Sequence, residues 1–308
     1  MEQVSFLEEL ISIPSPSGEE DAVAEHLVGR MTALGFRAHR DDVGNAVGIV
    51  GNANAEREIV LLGHMDTVPG SIPVRRCGDL LYGRGARYLA RTMPSPDCVI
   101  IGEPSHWEGV TLGYKGMLAV DYVRVQPGAH SAGEMPGPAE KAVAFWNRLM
   151  VYAEAYNGGR SGRFNTLDPA LRDFRTFSDG LDDGAEMNIV VRIPPGVEAA
   201  DLKEKMLTWC NGDKLTFPGS DPPFRSEKNI PPVRALLRAI RAEGGRPRFK
   251  LKTGTLDMNV VGPAWQCPIV AYGPGDSSLD HTPDEHVDVR EFRRGVRVLA
   301  RALETLAG

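Results

Sequence analysis

The stretch Glu58-Ile59-Val60-Leu61-Leu62-Gly63-His64-Met65-Asp66-Thr67 decides how this chain is interpreted. Its four apolar residues predict a strand that ends in a polar turn. Because successive residues of an extended chain point to opposite sides, His64 and Asp66 are expected to lie on the same side. Ligands of open α/β sheets bind where strands end in this way. On this stretch alone, a turn histidine capped by a nearby aspartate is the simpler interpretation.

The composition is that of an ordinary globular protein, with 42% hydrophobic and 25% charged residues. At 308 residues the chain is longer than one hydrophobic core usually supports, which predicts two domains. The net charge of −6 gives no reason to expect a nucleic acid or a membrane as partner, and no run approaches the roughly 18 apolar residues of a membrane helix. The amino terminus lacks the features of a secretory signal, and the four scattered cysteines form no CxxC pair. We therefore expect a cytoplasmic protein with reduced cysteines.

Two kinds of pattern divide the chain. Residues 1–107 and 225–308 alternate helical and strand patterns and predict an α/β domain. Residues 108–224 contain period-two strands and two amphipathic helices, which predict a compact α+β domain inserted into the first. Within the first domain, Ser17-Gly18-Glu19-Glu20 predicts a capping box at the start of a helix.

Two further polar clusters follow predicted strands of the α/β domain. Glu103 follows the apolar run Cys98–Ile101, and Asp280-His281-Thr282-Pro283-Asp284-Glu285 follows the strand Pro268–Tyr272. Taken singly, the first is a loop charge and the second a turn beside a proline. Taken with His64, they offer the imidazole and carboxylate ligands that suit zinc, cobalt or manganese. On spacing alone, a metal site and a set of unrelated turn residues are about equally good interpretations.

These motifs resemble those of a known family. The stretches 63–69, 102–105 and 280–285 are similar to the metal motifs of the di-zinc superfamily of aminoacylases, carboxypeptidases and succinyl-diaminopimelate desuccinylases. The resemblance covers nearly the whole chain. It implies an α/β, phosphorylase/hydrolase-like mixed-sheet catalytic domain with an inserted α+β lid or dimerisation domain. It also implies a homodimer that binds two Zn²⁺ per subunit, with Co²⁺ as the alternative metal.

One branch of that superfamily looks most similar. The stretches Tyr82-Gly83-Arg84-Gly85, Gly113-Tyr114-Lys115-Gly116 and Lys252-Thr253-Gly254-Thr255 resemble hydrolases of lysine and arginine biosynthesis. Those enzymes release lysine or ornithine from the glutamyl terminus of a small acidic amino-group carrier protein. The resemblance therefore implies hydrolysis of a linear amide bond, with that carrier protein as partner. An N-acyl amino acid deacylase or a dipeptidase of the same superfamily is the alternative.

The resemblance also implies ligands for the metal ions. His64 and Glu103 match ligands of one ion, and His281 matches a ligand of the other. Asp66 matches the carboxylate that holds and polarises the ligand histidine.

Further residues match positions that contact the substrate. His130 resembles the lid histidine that stabilises the oxyanion, in many relatives from the neighbouring subunit; otherwise it would be a turn histidine. The expected substrate-binding residues are Asn188, Arg192, Lys252 and Thr255. An arginine suits such a position because its planar fork grips a carboxylate in two places.

The chain departs from the family in one place. Relatives carry a metal-bridging aspartate after the Gly-Arg-Gly turn, then a helix and a strand that ends in two glutamates, one the general base and the other a ligand. Here Tyr82–Gly85 runs directly into a helical segment, and a βαβ unit of about 30 residues does not fit before Cys98. We therefore expect a segment to be missing near Arg84–Arg87. If the protein truly lacks it, a non-catalytic peptide-binding homologue is the alternative function.

A cluster of positive charge lies near the end of the chain. Its members, against the single Glu243, are Arg234, Arg238, Arg241, Arg246, Arg248, Lys250 and Lys252. A solvated helix and loop is the simpler interpretation, and a docking surface for an acidic carrier protein is the alternative.

Overall fold

A computed structural model of the chain describes residues 2–52, 55–67, 84–128, 135–279, 282 and 285–308. The helices of this part are α1 (Glu2–Ile11), α2 (Asp21–Ala33), α3 (Arg84–Thr92), α4 (Pro138–Asn157), α5 (Ala199–Leu207), α6 (Pro231–Ala242), α7 (Asp257–Trp265) and α8 (Val289–Ala307). Its strands are β1 (Arg37–Arg40), β2 (Ala46–Ile49), β3 (Ile59–Leu62), β4 (Cys98–Ile101), β5 (Gly109–Tyr114), β6 (Gly116–Pro127), β7 (Asp168–Ser178), β8 (Asp182–Ile193), β9 (Lys214–Thr216), β10 (Ser220–Asp221), β11 (Phe224–Arg225), β12 (Arg248–Lys252) and β13 (Ile269–Ala271).

The chain forms two compact units. The first consists of Met1–Leu112, Ser226–Lys250 and Val260–Gly308, and the second of Gly113–Arg225 and Leu251–Asn259. From the sequence, residues 251–259 belong with the first domain, whereas the structure assigns them to the second unit. One reason is a side chain at the end of this segment. The Asn259 amide nitrogen donates to the carbonyl oxygens of Lys115 at 3.2 Å and Pro222 at 2.8 Å.

The first unit contains the mixed sheet that the sequence predicts. Strand β4 lies between β3 and β13 and runs parallel to both, with Leu62 opposite Ile101 and Ala271 also opposite Ile101. Strand β5 is antiparallel to β13, and β12 pairs with β5. The carboxyl ends of β3, β4 and β13 therefore lie at one edge of the sheet, and each is followed by a polar segment. The predicted mixed-sheet α/β class is confirmed.

Helices α6 and α8 supply much of the core of the first unit. Their apolar side chains pack with those of the sheet, while their charged residues stay exposed. Burying one such apolar side chain contributes about 1.5–3 kcal/mol. The fully or largely buried members are Cys98, Ile100, Val110, Leu112, Val233, Ala235, Leu236, Ala239, Ile240, Val270, Tyr272, Val298, Ala302 and Leu306.

The second unit is an antiparallel sheet with strand order β10-β6-β8-β7, and β9 also pairs with β6. Helices α4 and α5 pack against it, with buried residues such as Leu149, Met206 and Ile189 in the shared core. No strand is predicted from the sequence at β7, because the stretch is mixed in charge and lacks a buried face. In the structure β7 is exposed along almost its whole length.

The predicted capping box at the start of α2 is wrong. The helix begins at Asp21, and its N-cap residue Glu20 makes no side-chain capping bond. The Ser17 hydroxyl donates instead to the Asp66 carboxylate at 2.5 Å, and Glu20 accepts from the Gly18 amide at 2.6 Å. A hydrogen bond from the serine hydroxyl to an ionised carboxylate is stronger than a bond between that hydroxyl and a helix amide. Ser17 therefore bonds to the distant Asp66 and does not cap the helix.

The position of the expected missing segment falls at the start of α3. The structure has a helix from Arg84 to Thr92 at this position. Tyr82 and Gly83, together with the hairpin predicted at residues 72–82, lie outside the described residues.

The sequence also led us to expect no membrane-spanning helix and cysteines in the reduced state. In the described part of the chain, no helix has the length and apolar character needed to cross a membrane. Cys98, Cys210 and Cys267 are free thiols, and Cys77 lies outside the described residues. Burial raises the pKa of Cys98 to about 11, so this thiol is protonated and unreactive at neutral pH.

Candidate functional site

The in-register pairing of β3 and β4 brings His64 and Glu103 together. The Gly102 amide donates to the Leu62 carbonyl at 2.7 Å, so both strands end at the same level. Two residues after Leu62, the His64 Nε2 atom lies 3.6 Å from Oε1 of Glu103. The Glu103 side chain is buried, at about 10% exposure, while that of His64 is 55% exposed. A buried carboxylate therefore faces an imidazole that solvent can reach.

The second ring nitrogen of His64 is held by Asp66. Nδ1 lies 3.1 Å from the Asp66 carboxylate and 3.1 Å from its backbone carbonyl. The hydrogen bond with this carboxylate raises the pKa of His64 to about 9, against a smaller opposing effect of burial. The same hydrogen bond, with help from Ser17, lowers the pKa of Asp66 to about 2. Without a metal ion, the pair is thus an imidazolium beside a carboxylate at neutral pH.

This geometry fits a metal ion of the expected kind. Two ligands on a tetrahedral zinc ion, each bonded at about 2.1 Å, lie about 3.4 Å apart. The separation of 3.6 Å between His64 and Glu103 is close to that value. Fixing the non-ligating nitrogen of a histidine with a carboxylate is the common arrangement around protein metals. The donor set is therefore suited to zinc or cobalt.

The described residues supply only part of a complete site. Among them, no group of three or more histidine, cysteine, aspartate or glutamate side chains is arranged to hold a metal. His281, the expected ligand of the other ion, lies outside the described residues. The expected oxyanion residue His130 lies outside them too.

A second segment braces the loop that carries His64 and Asp66. The Ser15 hydroxyl donates to the Met65 carbonyl at 2.9 Å, and the Thr67 amide donates to the Ser15 carbonyl at 2.7 Å. Ser17 then bonds to the Asp66 carboxylate. Sequence reasoning missed this role for Ser17 because its local pattern fits a helix cap equally well. The short Ser-Pro-Ser stretch is the only signal in the sequence.

Two of the expected substrate-binding residues meet in the second unit. The Arg192 guanidinium donates to the Thr255 hydroxyl at 2.6 Å, and that hydroxyl donates to the Lys115 carbonyl at 3.2 Å. Lys115 is fully buried, and its ammonium donates to the Asp168 carboxylate at 2.7 Å. Burial lowers the pKa of Lys115, although Asp168 opposes the shift. A buried ion pair therefore fixes the backbone that Thr255 uses to orient Arg192.

The other two expected substrate residues have different partners. The Asn188 amide donates to the Asp121 carboxylate at 2.8 Å. It lies four residues before Arg192 on β8, on the same face but about 13 Å away at the usual rise of a strand. The Lys252 ammonium lies 5.8 Å from the centre of the Tyr114 ring. The structure therefore brings neither residue into the Arg192–Thr255 pair.

The electrostatics of the first pair give a pH-dependent prediction. We expect Asp66→Asn to lower the pKa of His64 from about 9 towards its usual 6.5 in the metal-free protein, because the amide removes the charge that favours the imidazolium. A raised histidine pKa stabilises the folded protein below pH 6.5, and this stabilisation is lost as pH rises through about 9. NMR titration of the ring measures both values.

Asp201→Asn, an exposed carboxylate in the second unit, is the control and should leave the titration unchanged. A wild-type His64 that titrates near pH 6.5 would contradict the charged pairing with Asp66.

The chain matches one described family and several curated proteins. The family "Peptidase family M20/M25/M40" matches residues 82–305. A [LysW]-lysine hydrolase of Deinococcus radiodurans is 40% identical, over 98% of this chain and 96% of that protein. A putative [LysW]-lysine/[LysW]-ornithine hydrolase of Pyrococcus furiosus is 35% identical, over 99% of this chain and 98% of that protein.

Solved structures show the same fold. An M20 family metallo-carboxypeptidase from Sulfolobus solfataricus superposes with a TM-score of 0.76 at 17% identity, and the match covers 100% of this chain and 99% of that one. Human carnosine dipeptidase 1 gives a TM-score of 0.73 at 11% identity, covering 99% of this chain and 96% of that one. At these sequence identities the similarity is evidence for a shared fold alone.

The alignments also reveal a difference in length. The match to the Deinococcus protein extends over 355 positions, 47 more than the 308 residues of this chain. The match to the Pyrococcus furiosus protein extends over 340 positions, which is 32 more. These relatives therefore carry residues that have no counterpart here.

The family expected from the motifs around His64, Glu103 and residues 280–285 agrees with these matches of sequence and fold. The chain belongs to Peptidase family M20/M25/M40, a family of metal-dependent hydrolases of amide bonds.

Proposed function

We propose that this chain hydrolyses the amide bond that joins lysine or ornithine to the glutamyl terminus of an acidic amino-group carrier protein. The observation that carries the proposal is the 40% identity, over 98% of the chain, to a [LysW]-lysine hydrolase. The facing pair His64 and Glu103, with Asp66 behind the histidine, supports the same chemistry. Relatives carry both lysine and ornithine in their names, so both amino acids belong in the proposal. The free thiols suit the cytoplasmic location expected from the sequence.

The proposed cofactor is Zn²⁺, two ions per subunit, with Co²⁺ as the alternative. Such ions, when bound, activate a water molecule and polarise the scissile carbonyl. His64 and Glu103 would hold one ion and His281 the other. Asp66 keeps the His64 ring in the orientation that presents Nε2.

Other residues are assigned to the substrate. We assign Arg192 to the carboxylate of the substrate, because its planar set of donors matches two carboxylate oxygens and Thr255 already orients it. Asn188 and Lys252 are assigned as further substrate contacts. His130 is assigned to the oxyanion of the tetrahedral intermediate, where one donor contributes about 10²–10³ in rate.

Two required groups have no counterpart in the 308 residues. We infer that the bridging aspartate and the general-base glutamate that the resemblance implies lie among the residues that the relatives carry and this chain lacks. We infer that the complete protein carries these residues near Arg84–Arg87, where the sequence departs from the family.

Substrate preference tests the proposal. With the complete, zinc-loaded protein we expect kcat/KM for the lysyl or ornithyl carrier protein to exceed that for a small N-acyl amino acid by about 100-fold or more. The reason is that contacts with the carrier protein away from the scissile bond also stabilise the transition state. Glu103→Ala should lose both bound zinc and activity. A dipeptide or N-acyl amino acid cleaved as fast as the carrier substrate would favour the deacylase or dipeptidase alternative.

The mass of the natural protein separates catalysis from binding alone. At this chain's mean residue mass, 33.5 kDa over 308 residues, 47 more residues add about 5 kDa. Intact-mass spectrometry of protein from its natural source should therefore give a mass above 33.5 kDa. A mass of 33.5 kDa would favour the non-catalytic peptide-binding homologue.

A basic surface on the first unit supports an acidic partner. We use this name for the exposed arginines of α6, α8 and the segment after α6: Arg234, Arg238, Arg241, Arg246, Arg248, Arg290, Arg293, Arg294, Arg297 and Arg301. Glu243 lies among them and pairs with Arg297 at 2.8 Å and Arg301 at 3.0 Å. The surface reaches the loop of Glu103, because the Arg294 guanidinium lies 4.9 Å from the Trp107 ring centre. A positive surface beside the candidate site would attract an acidic carrier protein and speed its encounter.

Charge reversal tests this surface. We expect Arg238→Glu with Arg241→Glu to raise KM for the carrier substrate about 10-fold and leave kcat unchanged, because encounter is slowed and chemistry is not. KM of the wild type should also rise with salt. The matched control is Arg148→Glu with Lys205→Glu, an equal charge change at exposed positions of the second unit. An unchanged KM in the first variant, or a salt-independent KM, would show that the basic surface does not contribute to binding of the carrier protein.

The proposed homodimer would form along β7. In the described part of the second unit this strand pairs only with β8, so its other edge can accept a strand. Leu171, Phe174 and Phe177 are each about 40% exposed on it. An open edge with apolar side chains is a surface that a second copy can cover.

Light scattering of the purified protein tests the dimer. We expect a dimer for the wild type and a monomer for Phe174→Lys, because a charge at this edge opposes strand pairing. Phe249→Lys, at an equally exposed phenylalanine of the first unit, should remain dimeric. A monomeric wild type would overturn the proposal.

A further inference from the structure

Two loops of the first unit are joined behind the candidate metal ligand Glu103. One follows β4 (residues 102–108) and the other follows β13 (residues 272–279). The Ser105 amide donates to the Gly273 carbonyl and the His106 amide to the Gly275 carbonyl, both at 2.8 Å. Gly273 is required for this approach, because a Cβ at that position would lie 2.7 Å from the Glu103 carbonyl oxygen.

One side chain from a distant part of the chain holds the two loops together. Glu291, in the first turn of α8, accepts with a single oxygen from the Trp107 amide at 3.0 Å and the Gly275 amide at 3.1 Å. The same oxygen lies 3.3 Å from Nδ1 of His106. Glu291 thus contacts both loops at the point where they meet.

Glu291 is not needed to cap its own helix. Asp288 accepts from the amides of Arg290 and Glu291 and caps α8 by itself. The carboxylate of Glu291 is therefore available for the loops, where it satisfies two amides that would otherwise lose their acceptor.

The backbone at the junction also needs external support. His106 has a φ of 61°, a left-handed conformation that a residue with a side chain adopts only when its surroundings hold it. Gly275 on the facing loop has a φ of 100°. The contacts of Glu291 and the 3.6 Å approach of His106 Nε2 to Asp276 add to the bond between the His106 amide and the Gly275 carbonyl in supporting this conformation.

We propose that Glu291 is a positioning residue that holds the loop of Glu103 in place by bonding it to the loop after β13. The inference rests on the proposed function in one respect, the assignment of Glu103 as a metal ligand. The role requires an acceptor oxygen and not a negative charge, because its two backbone partners, the amides of Trp107 and Gly275, are neutral donors. Glutamine should therefore replace glutamate, and alanine should not.

The experiment compares Glu291→Ala, Glu291→Gln and the control Glu304→Ala in the complete protein. Glu304 is exposed on the same helix. Two measurements are made on each: amide hydrogen exchange at Trp107 and Gly275, and zinc affinity by competition with a chelator. For Glu291→Ala we expect faster exchange at both amides and zinc affinity about 10-fold weaker, the size of effect seen when a partner behind a ligand is removed. Glu291→Gln and Glu304→Ala should stay within about 2-fold of the wild type, as surface or conservative changes do.

The outcomes separate this inference from the proposed function. Unchanged exchange at both amides in Glu291→Ala, or zinc affinity equal to that of the wild type while Glu103→Ala loses zinc, would overturn the positioning role and leave the metal site standing. If Glu103→Ala itself binds zinc like the wild type, the metal assignment fails and the inference fails with it. A glutamine variant as defective as alanine would show that charge is what the loops need, contrary to the proposal.

Discussion

The parallel, in-register pairing of β3 with β4 is the constraint on which the candidate site depends. It fixes Leu62 opposite Ile101 and so sets the level at which both strands end. The polar residues that follow must then face each other, whatever their own preferences. A shift of one residue in this register would point one of the two side chains away from the other, because side chains alternate along a strand. Hydrogen bonds between β3 and β4 therefore determine the separation of His64 and Glu103.

The charge state of this pair links folding to metal binding. Glu103 is buried, and a buried carboxylate needs a cation or hydrogen-bond donors nearby. Without a metal ion, the proton on His64 supplies positive charge beside it, and Asp66 stabilises that proton from the other side. A metal ion must displace the proton to reach Nε2, so the same carboxylates that favour the proton also favour the ion. Metal binding at such a site releases protons and strengthens as pH rises.

Features that depend on residues close together in the sequence could be predicted from it. The apolar run of β4 and the periodic pattern of α6 were predicted with the bounds that the structure has, and the two-residue spacing of His64 and Asp66 places both on one side of the turn. Contacts between distant segments were not predictable. Ser17 meets a carboxylate 49 residues away, and a local capping pattern gives the wrong partner for it. Glu291 lies 185 residues from His106, and nothing in its surrounding sequence marks it. Strand β7 was missed because an exposed edge strand has no buried face to give it a period.

The position of His64 and Glu103 depends on the sheet and not on the length of the crossover that joins its strands. Parallel neighbours need a crossover connection, and the connection from β3 to β4 contains α3. Because the sheet alone sets the level of His64 and Glu103, one half of the site forms whether or not the crossover carries more residues. The facing pair His64 and Glu103 is thus no evidence by itself that catalysis is intact.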